Sequence, residues 1–243
     1  MNLDTNWIII VALSAIFSVI ALTYYYRKDK VEPEPPTRIA LAFTLGIFSA
    51  GVAFIFSWLS LEVLKAGIND PDALSLLSAG AVAPVVEEMS KLVMVIYLSR
   101  HSSFDGPIDG LVYGAAVGAG FSFAENILYG IVFSIDSGLT FALGVTVFRG
   151  AIQILGHPLY TGLAGAGVGM YKVKLLDSPF SKYWRSVLLH MIWNVSSIVF
   201  IGGLLFGAIY GYLELRKELR FAQELDYIAF STGYYYRKNA NIR

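Results

Sequence analysis

The sequence contains no cysteine, which excludes disulfides and thiolate metal sites. Charge is scarce and balanced: 18 Lys and Arg against 18 Asp and Glu in 243 residues, for a formal net charge of zero. No basic excess is available for nucleic acid, and no nucleic-acid partner is expected. Histidine occurs only at His101, His157 and His190. No segment repeats with the period of a solenoid or array, and none is of low complexity. There is no H-E-x-x-H, no Ser/His/Asp spacing and no paired Asp on facing helices, so the commonest hydrolase signatures are missing. The first apolar run lacks both a basic leader and a small-residue cleavage site, and is read as a retained span rather than a signal peptide.

Apolar residues are abundant. They make up 56% of the chain, and the mean hydropathy is +0.61. Those values belong to integral membrane proteins. A spanning helix needs about 20 mostly apolar residues, and six runs qualify: 7–26, 39–61, 73–98, 108–133, 139–171 and 184–212. The expected fold is therefore all-α, a polytopic bundle of about six transmembrane helices. The first two runs are plain and lipid-facing. The last four carry interior polar groups and form a four-helix catalytic core. The chain then divides into an N-terminal helix with a charged, Pro-rich loop (1–38), a membrane bundle (39–212, catalytic helices at 73–212) and an amphipathic tail (213–243) whose 213–230 stretch suits an interfacial helix.

Basic residues set the expected orientation. The loops after the first, third and fifth spans carry Arg27, Lys28, Lys30 and Arg38, then Arg100, then Lys172, Lys174 and Lys182. The loops after the second and fourth carry only Lys65. The positive-inside rule places the odd loops in the cytoplasm and the N-terminus outside, in a prokaryotic plasma membrane. The tail conflicts with this count. Arg216, Lys217, Arg220, Arg237, Lys238 and Arg243 would follow six spans to the outside. A miscounted span resolves it, and Gly156-His157-Pro158 is one place where a long run could break.

The polar groups inside these runs are costly in lipid, a single central charge costing roughly 3 kcal/mol. Glu87 and Glu88 are adjacent, and Lys91 lies one turn on. Lys91 can neutralise one carboxylate and leave the other to act; a purely structural ion pair would leave one acid unmatched. Glu125, with Asn126 beside it, has no base nearby in sequence and needs a partner on another helix. Arg149, Gln153, His157 and Thr161 recur every four residues as a polar stripe. His190 and Asn194 share a face one turn apart. Gly110, Gly114 and Gly118 read as close helix packing. Helical rise puts Glu88, Glu125, His157, His190 and Asn194 all at intermediate depth. A carboxylate could activate water for amide attack, with His and Asn serving the proton and the oxyanion. Alternatively Glu88, Glu125, His157 and His190 are candidate ligands for Zn²⁺. A proton-coupled transporter is the reading from another class, against which the missing internal repeat counts.

In order along the chain, Glu87-Glu88-x-x-Lys91, Phe121-x-x-x-Glu125-Asn126, a lone His157 in a Gly-rich helix and His190-x-x-x-Asn194 resemble the PrsW family of intramembrane proteases, within the wider CAAX prenyl protease and bacteriocin-processing superfamily. The resemblance covers about half of the chain. It implies cleavage of membrane-anchored proteins, such as an anti-sigma factor, by a glutamic-type or a metal-dependent mechanism. On that basis the expected catalytic residues are Glu87, Glu88, Lys91, Glu125, His157, His190 and Asn194, supported by Asn126, Arg149 and Gln153. The cofactor is none or Zn²⁺, and the partners are the lipid bilayer and a membrane-anchored protein substrate. Glu125 and Lys91 stand where the CAAX branch has His and Arg, which points away from prenyl-protein processing.

Overall fold

The computed structural model describes residues 3–199 and 202–232, all in helices and connecting turns, with no strand among them. In chain order these are α1 (Leu3–Tyr26), α2 (Pro36–Lys65), α3 (Pro71–Leu77), a π-helical turn (Ser78–Val82), α4 (Ala83–Leu98), α5 (Pro107–Asp136), α6 (Leu139–Ile152), a 3₁₀ turn (Gln153–Leu155), α7 (His157–Lys172), α8 (Tyr183–Val199) and α9 (Gly202–Ser231). Four stretches are long and apolar enough to cross a membrane: Trp7–Tyr26, Pro36–Lys65, Pro107–Asp136 and Leu139–Lys172. Lipid-facing side chains such as Ile8, Phe48, Phe54, Trp58 and Phe148 are left exposed.

α5 is the central post, and absent side chains put it there. A Cβ on Gly110, Gly114 or Gly118 would collide with the backbone of α7 at Gly165, Thr161 and His157 in turn. On its other side, Gly46 of α2 and Gly120 of α5 allow an equally close approach. Small residues are what permit backbones to touch in membrane bundles. The first two helices are thus more than a lipid-facing pair. Ser90 donates to the Ser49 carbonyl of α2 at 3.2 Å, and Tyr25 of α1 donates to the Ile154 carbonyl at 2.6 Å.

Three of the expected spans have internal breaks. In the third, Pro84 offers no N–H and its ring crowds the carbonyl one turn earlier. The π-helical turn just before it widens the helix to accommodate the ring. In the fifth, Gly156 ends the 3₁₀ turn and Pro158 opens α7, so the expected continuous helix is two. The sixth is also two helices: α8 and α9 are antiparallel, with Lys182 paired to Glu218, Arg185 to Glu214 at 3.2 Å, and Gly207 beside Ile192 and Trp193. The Gly202-Gly203 pair opening α9 is the sequence signal for this turn.

That hairpin corrects the topology. The 213–230 stretch is the continuation of α9, not a separate interfacial helix. It returns to the end of the bundle where α1 stops, and Gln223 donates to the Lys28 carbonyl at 2.7 Å. Lys172 donates to the Ser99 and His101 carbonyls at 2.5 and 2.7 Å at the same end. Arg216, Lys217 and Arg220 therefore lie with the basic odd loops, leaving Lys65 at the opposite end. Arg237, Lys238 and Arg243 lie outside the described residues.

Candidate active site

Gly118 lets α7 begin against α5, so His157, the first residue of α7, stands beside Phe121 and Glu125 one and two turns along. The His157 ring lies 4.8 Å from the Phe121 ring centroid, and its Nε2 is 2.8 Å from Glu125 Oε2. The same carboxylate oxygen accepts from Arg149 Nη2 at 2.7 Å. Arg149 in turn lies over the Tyr129 ring at 4.0 Å. Glu125 thus finds both of its partners on the broken fifth run, one on each side of the break.

From α4, the fully buried Lys91 ammonium reaches Glu88 Oε1 at 2.6 Å and His157 Nδ1 at 2.7 Å, with the Phe121 ring 4.0 Å away. An ammonium has only donors, so Nδ1 of His157 accepts from Lys91 and Nε2–H donates to Glu125. Both nitrogens of His157 are engaged. Glu88 accepts further from Thr161 at 3.2 Å and from His190 Nδ1 at 2.9 Å. That bond fixes the His190 tautomer and leaves Nε2 as an open lone pair. Tyr160 stacks on His190 at 5.1 Å between centroids and holds its ring plane.

Glu87 is different from its neighbour. Its Oε2 is buried without a hydrogen-bond partner, 3.8 Å from His190 Nε2 and 4.0 Å from Lys91 Nζ. Of the two acids, Lys91 is bonded to Glu88 and stands off from Glu87. Glu87, Glu125, His157, His190, Arg149, Gln153 and Asn194 line one cavity of about 300 Å³. Glu87 and Glu125 also border a second, apolar groove of about 490 Å³ between α2 and α5, edged by Gly51, Phe54 and Ala124. Glu87, His157 and His190 each present a ligand atom, all within 4.8 Å of one another. Among the described residues this is the group able to hold a metal, with Glu87 in it and with Glu88 and Glu125 holding its histidines.

Asn194 Nδ2 donates to the Ala79 carbonyl at 2.9 Å. The π turn explains why that carbonyl is available. The Ala83 N–H is taken by Ser78, and the next residue, Pro84, has no N–H to give. Asn126 is buried away from the cavity and ties α5 to Ser14 and to the Thr146 carbonyl at 3.3 and 3.2 Å. Gln153 borders the cavity and donates to Ser18 at 3.4 Å. His101, Asp109 and Tyr113 serve the basic end: His101 meets Ser103, Asp109 accepts from the Asp105 and Gly106 backbones, and Tyr113 donates to Glu34 at 2.6 Å. The sequence reading missed Tyr160, three residues beyond His157 and so on the same helical face.

Comparison with known proteins identifies the family. A family model described as PrsW family intramembrane metalloprotease matches residues 34–214. Protease PrsW of Geobacillus kaustophilus is 31% identical over 175 residues, 70% of each chain. Protease PrsW of Bacillus subtilis is 29% identical over 159 residues, covering 65% of this chain and 70% of that one. The Clostridioides difficile protein of the same name is 25% identical over 189 residues, 75% of this chain and 76% of its own. No solved structure matches. The chain belongs to the PrsW family: it is an integral-membrane peptidase.

Proposed function

We propose that the protein is an intramembrane endopeptidase that hydrolyses a peptide bond of a membrane-anchored protein, with Glu87 as the base that activates water. The observation that carries this reading is the unpartnered, buried Oε2 of Glu87 beside the open Nε2 of His190. A water there accepts positioning from both groups. Glu87 takes its proton as oxygen attacks the carbonyl carbon, then delivers that proton to the leaving amine. General-base assistance of this kind contributes about 10²–10⁴-fold. Lys91 keeps Glu88 charged and bound to His190, so Glu88 orients the imidazole. Asn194 spends one amide N–H on Ala79 and has a second for the tetrahedral oxyanion. A single-span protein such as an anti-sigma factor is the substrate class in view. The concentration of Arg27, Lys28, Lys30, Lys172, Lys182 and Arg216 at one end supports a cytoplasmic position for that end and an external N-terminus, in a bacterial plasma membrane.

The zinc reading is supported by the family's description and by the Glu87, His157, His190 group. One carboxylate and two imidazoles are the donor set of an open hydrolytic zinc site. The orphaned Glu87 oxygen and the open His190 nitrogen fit a cation directly. His157 fits only once its Nε2 gives up both Glu125, which keeps Arg149, and its hydrogen; Nδ1 would then carry the hydrogen and Lys91 would have to turn wholly to Glu88. The three ligand atoms lie within 4.8 Å of one another, and these residues would be the ones to hold the ion. A bound zinc would polarise the peptide carbonyl and lower the pKa of a water molecule. Glu87 would then be a ligand rather than the base. Purified protein incubated with a single-span substrate, alongside elemental analysis and chelation, tests both readings. Cleavage that survives chelation with no stoichiometric metal supports the Glu87 base. Near-unit zinc, with activity lost to chelator and regained on adding metal, moves Glu87 to the ligand role. No cleavage of any membrane-anchored substrate by the intact protein would overturn the proposed endopeptidase action on such substrates.

A further inference from the structure

At the basic end of the bundle, Arg27, Lys28 and Lys30 follow α1, and Arg216 and Arg220 stand one turn apart on α9. All five line a single pocket of about 270 Å³. At the same end Lys182 is paired with Glu218, Arg185 with Glu214, and Lys172 is held by two carbonyls. Among the described residues, none of the five cations in the pocket pairs with a carboxylate. The lining of the pocket thus holds five cations and no carboxylate. The pocket is braced from within, since Gln223 holds the Lys28 carbonyl at 2.7 Å and the Lys28 ammonium lies 4.1 Å over the Tyr24 ring.

The level of the pocket matters as much as its charge. α1 changes from apolar to basic after Tyr26. α9 changes from exposed Leu205, Phe206, Ile209 and Leu213 to a charged helix after Leu213. The two transitions meet at this pocket, with Tyr24 and Tyr212 at its edge. Tyrosines favour the level of lipid headgroups, where an apolar ring meets a wet hydroxyl. A ligand seated here would have its anion among five cations and its apolar part along the exposed face of α9.

We propose that this pocket binds the phosphate headgroup of an anionic phospholipid, which would clamp α9 to the end of α1. Basic pockets between membrane helices are suited to such headgroups, and each Lys or Arg near the surface adds about fivefold to the affinity. The proposal is independent of the peptidase chemistry, because none of these residues borders the Glu87 cavity.

Native mass spectrometry of the intact protein, released from detergent after incubation with phosphatidylglycerol or phosphatidylcholine, tests it. The expected result is retained phosphatidylglycerol in excess of phosphatidylcholine. Two double variants, Arg216→Gln with Arg220→Gln and Arg27→Gln with Lys30→Gln, remove cations from different elements. Each is expected to weaken retention about 25-fold, while Lys65→Gln at the other end leaves it unchanged. A parallel arm adds inorganic phosphate as competitor, and phosphatidylglycerol should resist it. Equal retention of the two lipids would overturn the proposal, as would wild-type retention by either double variant that keeps its helical circular dichroism. Displacement by inorganic phosphate alone would make this a free-anion site and overturn the lipid assignment.

Discussion

A methyl group added at Gly118 should disable the site without touching any catalytic side chain. A Cβ there would stand 2.6 Å from the His157 carbonyl carbon and 2.7 Å from Pro158 Cα. Carbon atoms prefer about 3.5–4.0 Å, so α7 must retreat by about 1 Å at its first turn. Both neighbours are backbone, and no rotamer change relieves the clash. Overpacking of this kind costs about 1–3 kcal/mol, offset by up to about 1 kcal/mol from replacing Gly by Ala in a helix. The net loss of stability is therefore small. Activity should suffer far more, because the displaced residue is His157, held by bonds of 2.7 and 2.8 Å to Lys91 and Glu125. A misplacement of about 1 Å is worth about 100-fold in rate. The assay is cleavage of a single-span substrate by purified Gly118→Ala, with the thermal midpoint measured on the same sample. Gly144→Ala, where a Cβ meets nothing within 4 Å, is the control and should cleave normally. Wild-type turnover by Gly118→Ala would refute the claim that close packing of α5 and α7 sets the site.

Other outcomes follow from the same geometry. Lys91→Met strands the Glu88 charge in a buried setting and should cost about 3–5 kcal/mol; adding Glu88→Gln should recover most of it, measured as thermal midpoints of the single and double variants. At the basic end, burial pushes the Glu34 carboxyl up to about 7 and that of Asp29 up to about 6. An acid whose folded pKa exceeds its unfolded value near 4.5 holds its proton more tightly when folded. The contribution of Glu34 to stability should then be full below about pH 4.5 and fall by about 3 kcal/mol as pH rises to 7, and Glu34→Gln should flatten that part of the decline in a thermal-shift series. If a substrate segment enters along the apolar groove beside Glu87, Gly51→Trp should lower kcat/KM for a single-span substrate, whereas Ile55→Trp, on an exposed lipid face, should not.

Much of this arrangement was legible in the sequence because lipid makes buried charge conspicuous. Glu87, Glu88, Lys91, Glu125, Arg149, His157 and His190 each stood out as expensive within an apolar run; five of them line one cavity, and Glu88 and Lys91 bond to its histidines. Periodicity could not show the breaks. A hydropathy average runs straight through the π turn, through Gly156 and through the α8–α9 hairpin, since each is flanked by apolar residues. The basic tail carried the needed information as a contradiction of the positive-inside count, and the hairpin removes it. α2 was read as peripheral because its exposed face is so apolar; Gly46 and Ser49, small and turned inward, mark the face that packs. The family match reaches from residue 34 to 214, taking in α2 and the start of α9 beyond the four motifs. Lys91 bonds to Glu88 rather than Glu87 because of where the neighbouring helices place Thr161 and His190, and no spacing within α4 contains that choice.

The central claim is that Glu87 is the acid free to act on water while Glu88 is committed to Lys91 and His190. Single-turnover cleavage of one membrane-anchored substrate by wild type, Glu87→Gln and Glu88→Gln, each verified as folded, tests it most directly. The account predicts a loss of about 10²–10⁴-fold for Glu87→Gln, with bound substrate still protected in the site. It predicts for Glu88→Gln a smaller loss in rate accompanied by a lower thermal midpoint. Near-wild-type cleavage by Glu87→Gln, with the large loss falling on Glu88→Gln alone, would contradict it.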